Sequence, residues 1–256
     1  MAFDNSPFRY GSQQAGGYAG TQVDVDQGLR AFMLGVYNNM VVGLGISGLV
    51  ALGLNMAATA QTTTGKIALT PFGQVLYTSP VKWVLMLAPL AFIFFFSFRM
   101  DKMSAASART MFFAFAAVMG ASMSTLLLVF TGASVVRVFF ITAATFGGLS
   151  LYGYTTKRSL SGMGSFLIMG LIGLIIASLV NIFLASSALQ FAISVIGVLI
   201  FAGLTAYDTQ KLKEMFLYSG ADAEGAAKLS VNGALTLYLD FINMFQMLLS
   251  LLGDRR

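Results

Sequence analysis

Seven apolar runs long enough to cross a lipid bilayer divide this chain, at about residues 32–56, 82–98, 111–130, 134–154, 164–184, 191–210 and 231–252. A membrane helix needs about 17–25 mostly apolar residues. Inside hydrocarbon the backbone must satisfy its own polar groups, so runs of this length fold as helices. The expected architecture is therefore all-α: a polytopic membrane protein with seven transmembrane helices. Composition agrees, with 57% hydrophobic and only 10% charged residues, where soluble domains carry about 25% charged. The seventh run holds an acid near its middle, so it could span, re-enter or lie buried among the other helices.

Residues 1–30 are rich in Gly, Gln, Ser and Ala. Such a stretch buries little and is expected to be a disordered N-terminal tail, leaving 31–256 as one membrane domain. The tail has no basic start followed by an apolar run, so it does not read as a secretory signal. Lys and Arg give the orientation. Segments on the N-terminal side hold ten, Arg9, Arg30, Arg99, Lys102, Arg109, Lys157, Arg158, Lys211, Lys213 and Lys228, while the opposite side holds Lys66, Lys82 and Arg137. The positive-inside rule puts the N-terminus in the cytoplasm. Arg255 and Arg256 disagree unless the seventh run re-enters. This asymmetry accounts for most of the net charge of +5, and no nucleic-acid partner is needed to explain it.

Two acids stand apart from the rest. Asp208 and Asp240 lie inside the sixth and seventh runs, while the other eight acidic residues fall in the tail, the connections or the C-terminus. A buried acid at the centre of a membrane helix costs roughly 2.5–3.5 kcal/mol on insertion scales, which marks both as functional candidates. If residues 217–230 form the connection, an antiparallel pair brings the two to similar height. Two carboxylates in contact cannot both ionise cheaply, and they titrate as a pair sharing a proton. With one proton the pair latches two helices; with none it repels and attracts cations. The plain alternative is that each acid pairs with its own Lys or Arg and sets helix register.

Asn232, Thr236, Asp240, Asn243 and Ser250 fall on one stripe of the last helix, at spacings that share a helical face. Asn232, Thr236 and Asn243 are thus candidate polar residues lining a path. Arg99 ends the second run on the side of the sixth-to-seventh turn. It could plug a cation path by pairing with an ionised carboxylate, or simply snorkel to the interface. Small residues at helical spacing, Gly43, Ser47 and Ala51, or Gly173 and Ala177, are expected at close helix contacts. The chain has no Cys and no His, which excludes disulfides, thiolate metal sites and imidazole proton transfer. No resident cofactor is expected.

Three stretches carry a family resemblance: GGLSLYGYTTKRSLSGMGSFLIMGLIGLIIASLVNIF at 147–183, IGVLIFAGLTAYDTQKLKE at 196–214 and GALTLYLDFINMFQMLLSLLG at 233–253. In order and spacing the chain resembles the transmembrane Bax inhibitor motif family, in its bacterial branch. The resemblance implies a seven-helix fold with the last helix central and a pH-sensitive calcium leak of the inner membrane. It implies that Asp208 and Asp240 are the paired-aspartate sensor and Arg99 the latch, with the two aspartates a weak, transient Ca²⁺ site. Partners are then the lipid bilayer and calcium ions. It also suggests a second role, a non-conducting stress-response regulator of a membrane AAA protease, with the tail (residues 1–28) or the cytoplasmic loops as the handle. An intramembrane aspartyl protease also uses two aspartates, and Tyr207–Asp208 matches its first motif. Its second needs Gly-x-Gly-Asp, where this chain has Tyr238–Leu239–Asp240.

Overall fold

The computed structural model describes residues 15–61, 67–99, 102–220 and 222–256. Its elements run α1 (Ala15–Ala58), β1 (Thr59–Gln61), β2 (Ile67–Leu69), α2 (Pro71–Thr78), α3 (Val81–Arg99), α4 (Ala105–Met123), α5 (Leu126–Val129), α6 (Gly132–Thr155), α7 (Ser161–Leu184), α8 (Ser187–Ser219) and α9 (Ala223–Leu252). Six segments are long and apolar enough to cross a bilayer by themselves, α4 and α5 counting together. The bent pair α2 and α3, whose axes turn by 59° at the Ser79–Pro80 break, has the length and apolarity of a broken span or a re-entrant loop, and counted as one span it brings the number to seven. The protein is an all-α polytopic membrane protein.

The N-terminal boundary differs from the sequence expectation. Helix α1 already runs from Ala15, so residues 15–30 are helical and continuous with the first span. Gln, Val, Leu and Ala are acceptable helix formers, and a packed helix extends more readily than a new one nucleates. Leu29 and Phe32 are buried, and the ring of Phe32 stacks on Phe216 of α8 at 4.7 Å. Residues 1–14, the first half of the proposed 1–28 handle, lie outside the described residues.

Helix α9 is the centre of the bundle. Of its apolar window 56% is buried, against 17% for α7. It packs against α8, α1, α6 and α4. Tyr238 is fully buried, with Phe112 and Phe115 meeting its ring edge-on at 5.6 and 5.9 Å. Phe241 sits likewise between Phe139 and Phe146. Glycine permits the closest backbone approaches: a Cβ on Gly120 would lie 2.4 Å from the carbonyl oxygen of Ser47, and one on Gly153 would lie 2.2 Å from that of Ala206. Gly43 and Ser47 thus stand at a tight α1–α4 contact, as expected. Gly173 does not, because nothing lies within 4 Å of the Cβ it lacks.

The α8–α9 connection is shorter than the sequence suggests. Gly220, at φ +52°, ends α8 in the left-handed conformation that glycine adopts cheaply. Two residues later Asp222 caps α9, its carboxylate accepting from Gly225 N at 2.8 Å. A stop and a start so close together leave only residues 220–222 between the helices. At the far end of α9, Thr131 N donates to Asp254 O at 2.9 Å, Arg256 N donates to Val129 O at 3.0 Å and Arg137 pairs with Asp254 at 2.9 Å. The C-terminus therefore stands beside the α5–α6 junction. Helix α9 crosses the whole bundle and does not re-enter.

Candidate functional site

Asp208 and Asp240 face each other across the α8–α9 contact, carboxyl to carboxyl within hydrogen-bonding reach. Asp208 is half-buried and Asp240 only 5% exposed. Equal arms do not bring them together. Asp208 lies eleven residues before the end of α8 and Asp240 seventeen after the start of α9. The first turn of α9 is engaged elsewhere, with the Glu224 carboxylate accepting from Ala105 N at the start of α4, 2.6 Å away. Asp240 Oδ2 is buried with no hydrogen-bond partner. Two ionised carboxylates contain no donor, so a proton is the group that would join them.

The four residues Tyr207 to Gln210 point to four neighbours, as successive residues do at about 100° apart on a helix. Tyr207 lies against Gly164 of α7, where a Cβ would come within 2.4 Å of its ring. Asp208 meets Asp240. Thr209 shares a hydrogen bond with Ser150 of α6 at 2.9 Å, and Ser150 shares another with Tyr37 of α1 at 2.7 Å. Gln210 accepts from Leu160 N at 2.7 Å and donates to Arg158 O at 2.9 Å, which holds the α6–α7 connection. One helical turn therefore orients Asp208 against four other parts of the bundle.

The family described as Inhibitor of apoptosis-promoting Bax1 matches residues 29–256. A protein of Caulobacter vibrioides is 45% identical over 234 residues, which is 91% of this chain and 92% of the relative. One of Rickettsia prowazekii is 46% identical over 231 residues, 90% of this chain and 92% of its own length. The inner membrane protein YbhL of Escherichia coli K12 is 44% identical over 232 residues, covering 90% and 94%. The chain belongs to the Bax inhibitor family. Its matched region starts within α1 and takes in the whole bundle, with both aspartates.

Elsewhere in this Bax inhibitor bundle the candidate residues are dispersed. Arg99 is exposed at the end of α3, its guanidinium over the ring of Phe95 at 5.4 Å, and it forms no ion pair with either aspartate among the described residues. The charge that reaches Asp208 is that of Lys211, one turn along α8, whose ammonium lies 5.9 Å from the centre of the Tyr207 ring. Asn232, Thr236 and Asn243 are half-buried on the face of Asp240. Thr236 donates to Asn232 O at 3.2 Å and Asn243 to Leu239 O at 2.8 Å, so both side chains turn back on their own helix. Beyond Asn243 the stripe reaches Gln246. That residue lines a cavity of about 480 Å³ with Ser122 and Thr125.

Sequence reasoning did not single out the hydroxyl chain Tyr37–Ser150–Thr209 or the Tyr238–Ser47 contact. Periodicity within one helix cannot reveal a bond made between helices. The one available signal is that all five are polar residues inside apolar runs. Among the described residues no group of three or more acids, His or Cys is gathered in one place. Two carboxylates can hold a divalent cation only loosely, because Ca²⁺ takes six to eight oxygens.

Proposed function

We propose that this protein is a pH-sensitive cation leak, calcium being the transported ion, gated by Asp208 and Asp240. The observation that carries the reading is the contact itself: two carboxyls on neighbouring spanning helices, with one oxygen of Asp240 buried and unpartnered. With a proton between them they hold α8 to α9. Without it two like charges meet in a medium that screens them poorly, the helices part there, and the exposed oxygens attract cations. The polar stripe through Asn243 to Gln246 and its cavity supplies the other half of the path. Weak binding suits conduction, because the ion must also leave.

Arg99 enters this reading as a latch available to an opened pair, not as its partner in the present structure. The bundle end carrying residues 99–109, 157–158 and 211–228 faces the cytoplasm by its excess of Lys and Arg. An inner-membrane location is supported by the name of the Escherichia coli relative. Proteolysis is the weaker reading, because α8 and α9 are unbroken helices through both aspartates and present no unwound segment to a substrate. The experiment is calcium flux into liposomes against pH. Wild-type flux should rise as the pair loses its proton, and Asp208→Asn or Asp240→Asn should flatten the profile. A profile unchanged in both variants rejects the gate.

A further inference from the structure

One large cavity has neither Asp208 nor Asp240 in its lining. It is a groove of about 1300 Å³ walled by α1 and α6, with Phe241 of α9 at its floor. On α1 its lining runs from Arg30 to Leu52. At 1.5 Å per residue that is about 33 Å, close to the roughly 30 Å of a bilayer's hydrocarbon. Its walls are apolar except at the end where Arg30, Tyr37, Ser150 and Tyr154 gather.

Two features make this more than a gap between helices. Gly45, Gly48 and Gly147 line it, yet the Cβ missing from each would meet nothing within 4 Å. Small residues in membrane helices ordinarily serve close packing. Here they pack against no protein, and their effect is to keep the groove wide. The second feature is charge. Arg30 is exposed at the polar mouth and has no ion pair among the described residues. Behind Tyr154 the Lys213 ammonium lies over the ring at 5.4 Å and donates to Tyr154 O at 3.0 Å. An apolar slot with cations at one end matches a molecule that has acyl chains and an anionic head.

We propose that the α1–α6 groove is a binding site for an anionic phospholipid of the leaflet at the Arg30 end. The acyl chain lies along Gly45, Gly48 and Gly147, and the headgroup phosphate meets Arg30, whose planar donor fork suits phosphate. Tyr37, on the groove wall, joins through Ser150 to Thr209, the residue after Asp208. An occupied groove therefore bears on the turn of α8 that carries the acid pair.

The experiment titrates the full chain in neutral detergent with phosphatidylglycerol and, separately, phosphatidylcholine, and counts bound lipid by native mass spectrometry. One interfacial cation is worth about a fivefold change in binding of an anionic lipid. Wild type should prefer phosphatidylglycerol by at least that factor. Arg30→Gln, at an exposed position, should lower the preference about fivefold and leave phosphatidylcholine binding as it was. Gly48→Leu with Gly147→Leu, filling open space, should reduce retention of both lipids with helix content unchanged. Equal retention of the two lipids by wild type overturns the proposal, as does a preference that survives Arg30→Gln or glycine variants that bind like wild type.

Discussion

The hydroxyl of Tyr238 lies 2.7 Å from that of Ser47, two residues before Asp240, and ties the central helix α9 to α1. Ser47 in turn donates to Ala116 O at 2.7 Å and lies 3.0 Å from Gly43 O. Its proton is committed to a carbonyl, so Tyr238 is the donor between the two hydroxyls. Three helices, α1, α4 and α9, are thus joined at one buried point on the face of α9 away from Asp240.

Removing the two hydroxyls should have unequal effects. Tyr238→Phe deletes a donor and leaves Ser47 bonded to a carbonyl, at a cost of about 0.6–1.7 kcal/mol, the span seen for hydrogen bonds between membrane helices. Ser47→Ala strands a buried phenol, and an unsatisfied buried polar group costs about 1–3 kcal/mol. Ser47→Ala should therefore lower the midpoint of unfolding in a denaturing detergent more than Tyr238→Phe. The double variant should resemble Tyr238→Phe alone. Equal losses would show that the two hydroxyls do not act in series.

Glycine substitutions should separate contacts that need glycine from positions that merely contain it. In Gly153→Ala the new Cβ would lie 2.2 Å from Ala206 O, two residues before Asp208, so α6 and α8 must move apart. Overpacking of this kind costs about 1–3 kcal/mol, and the α8 shift should alter the pH profile of flux as well as stability. Gly173→Ala places its Cβ in open space and should stay within about 0.5 kcal/mol of wild type. Thermal aggregation in detergent, read alongside flux, distinguishes the two.

That contrast also marks how far the sequence can be read. The all-α membrane architecture and the two candidate acids follow from hydropathy and from the cost of burying charge, which are properties of each segment alone, whereas the central last helix comes from the family resemblance. The meeting of Asp208 and Asp240 was expected from equal arms about a long connection. It occurs with unequal arms about a short one, because Gly220 and Asp222 end and restart the helices within three residues. Gly43 and Gly173 look alike in a small-residue pattern, but one abuts Phe112 and the other faces open space. Arg99 was expected on the side of the α8–α9 turn, within reach of the acid pair, yet its guanidinium rests on Phe95. Which partner a residue meets depends on helix rotation, and periodicity does not specify rotation.

The tight α8–α9 connection is itself testable. Asp222→Ala removes the cap that accepts from Gly225 N and should cost about 1 kcal/mol. Gly220→Ala forces a β-carbon residue into φ +52° and should cost about 1 kcal/mol as well. Neither residue touches an aspartate of the pair. If the connection sets where α8 and α9 stand relative to each other, both variants should change the pH response of flux. If side-chain packing alone sets it, they should lower stability and leave that response intact.

The placement of the chain in the membrane can be read directly, because the protein has no cysteine of its own. Residues 253–256 stand beside the α5–α6 junction, held by the Thr131–Asp254 and Val129–Arg256 backbone bonds. Lys157 lies in the α6–α7 connection, at the other end of α6. With α9 crossing fully, Arg256→Cys and Lys157→Cys must be labelled from opposite sides by a membrane-impermeant maleimide. The proposed orientation, drawn from the excess of Lys and Arg, would put Lys157 in the cytoplasm. In intact spheroplasts Arg256→Cys should therefore react and Lys157→Cys should react only after permeabilisation. The reverse pattern would invert the proposed orientation while keeping the crossing. Labelling of both from one side would mean that α9 does not span, and the gate between α8 and α9 would lose the two compartments it is meant to connect.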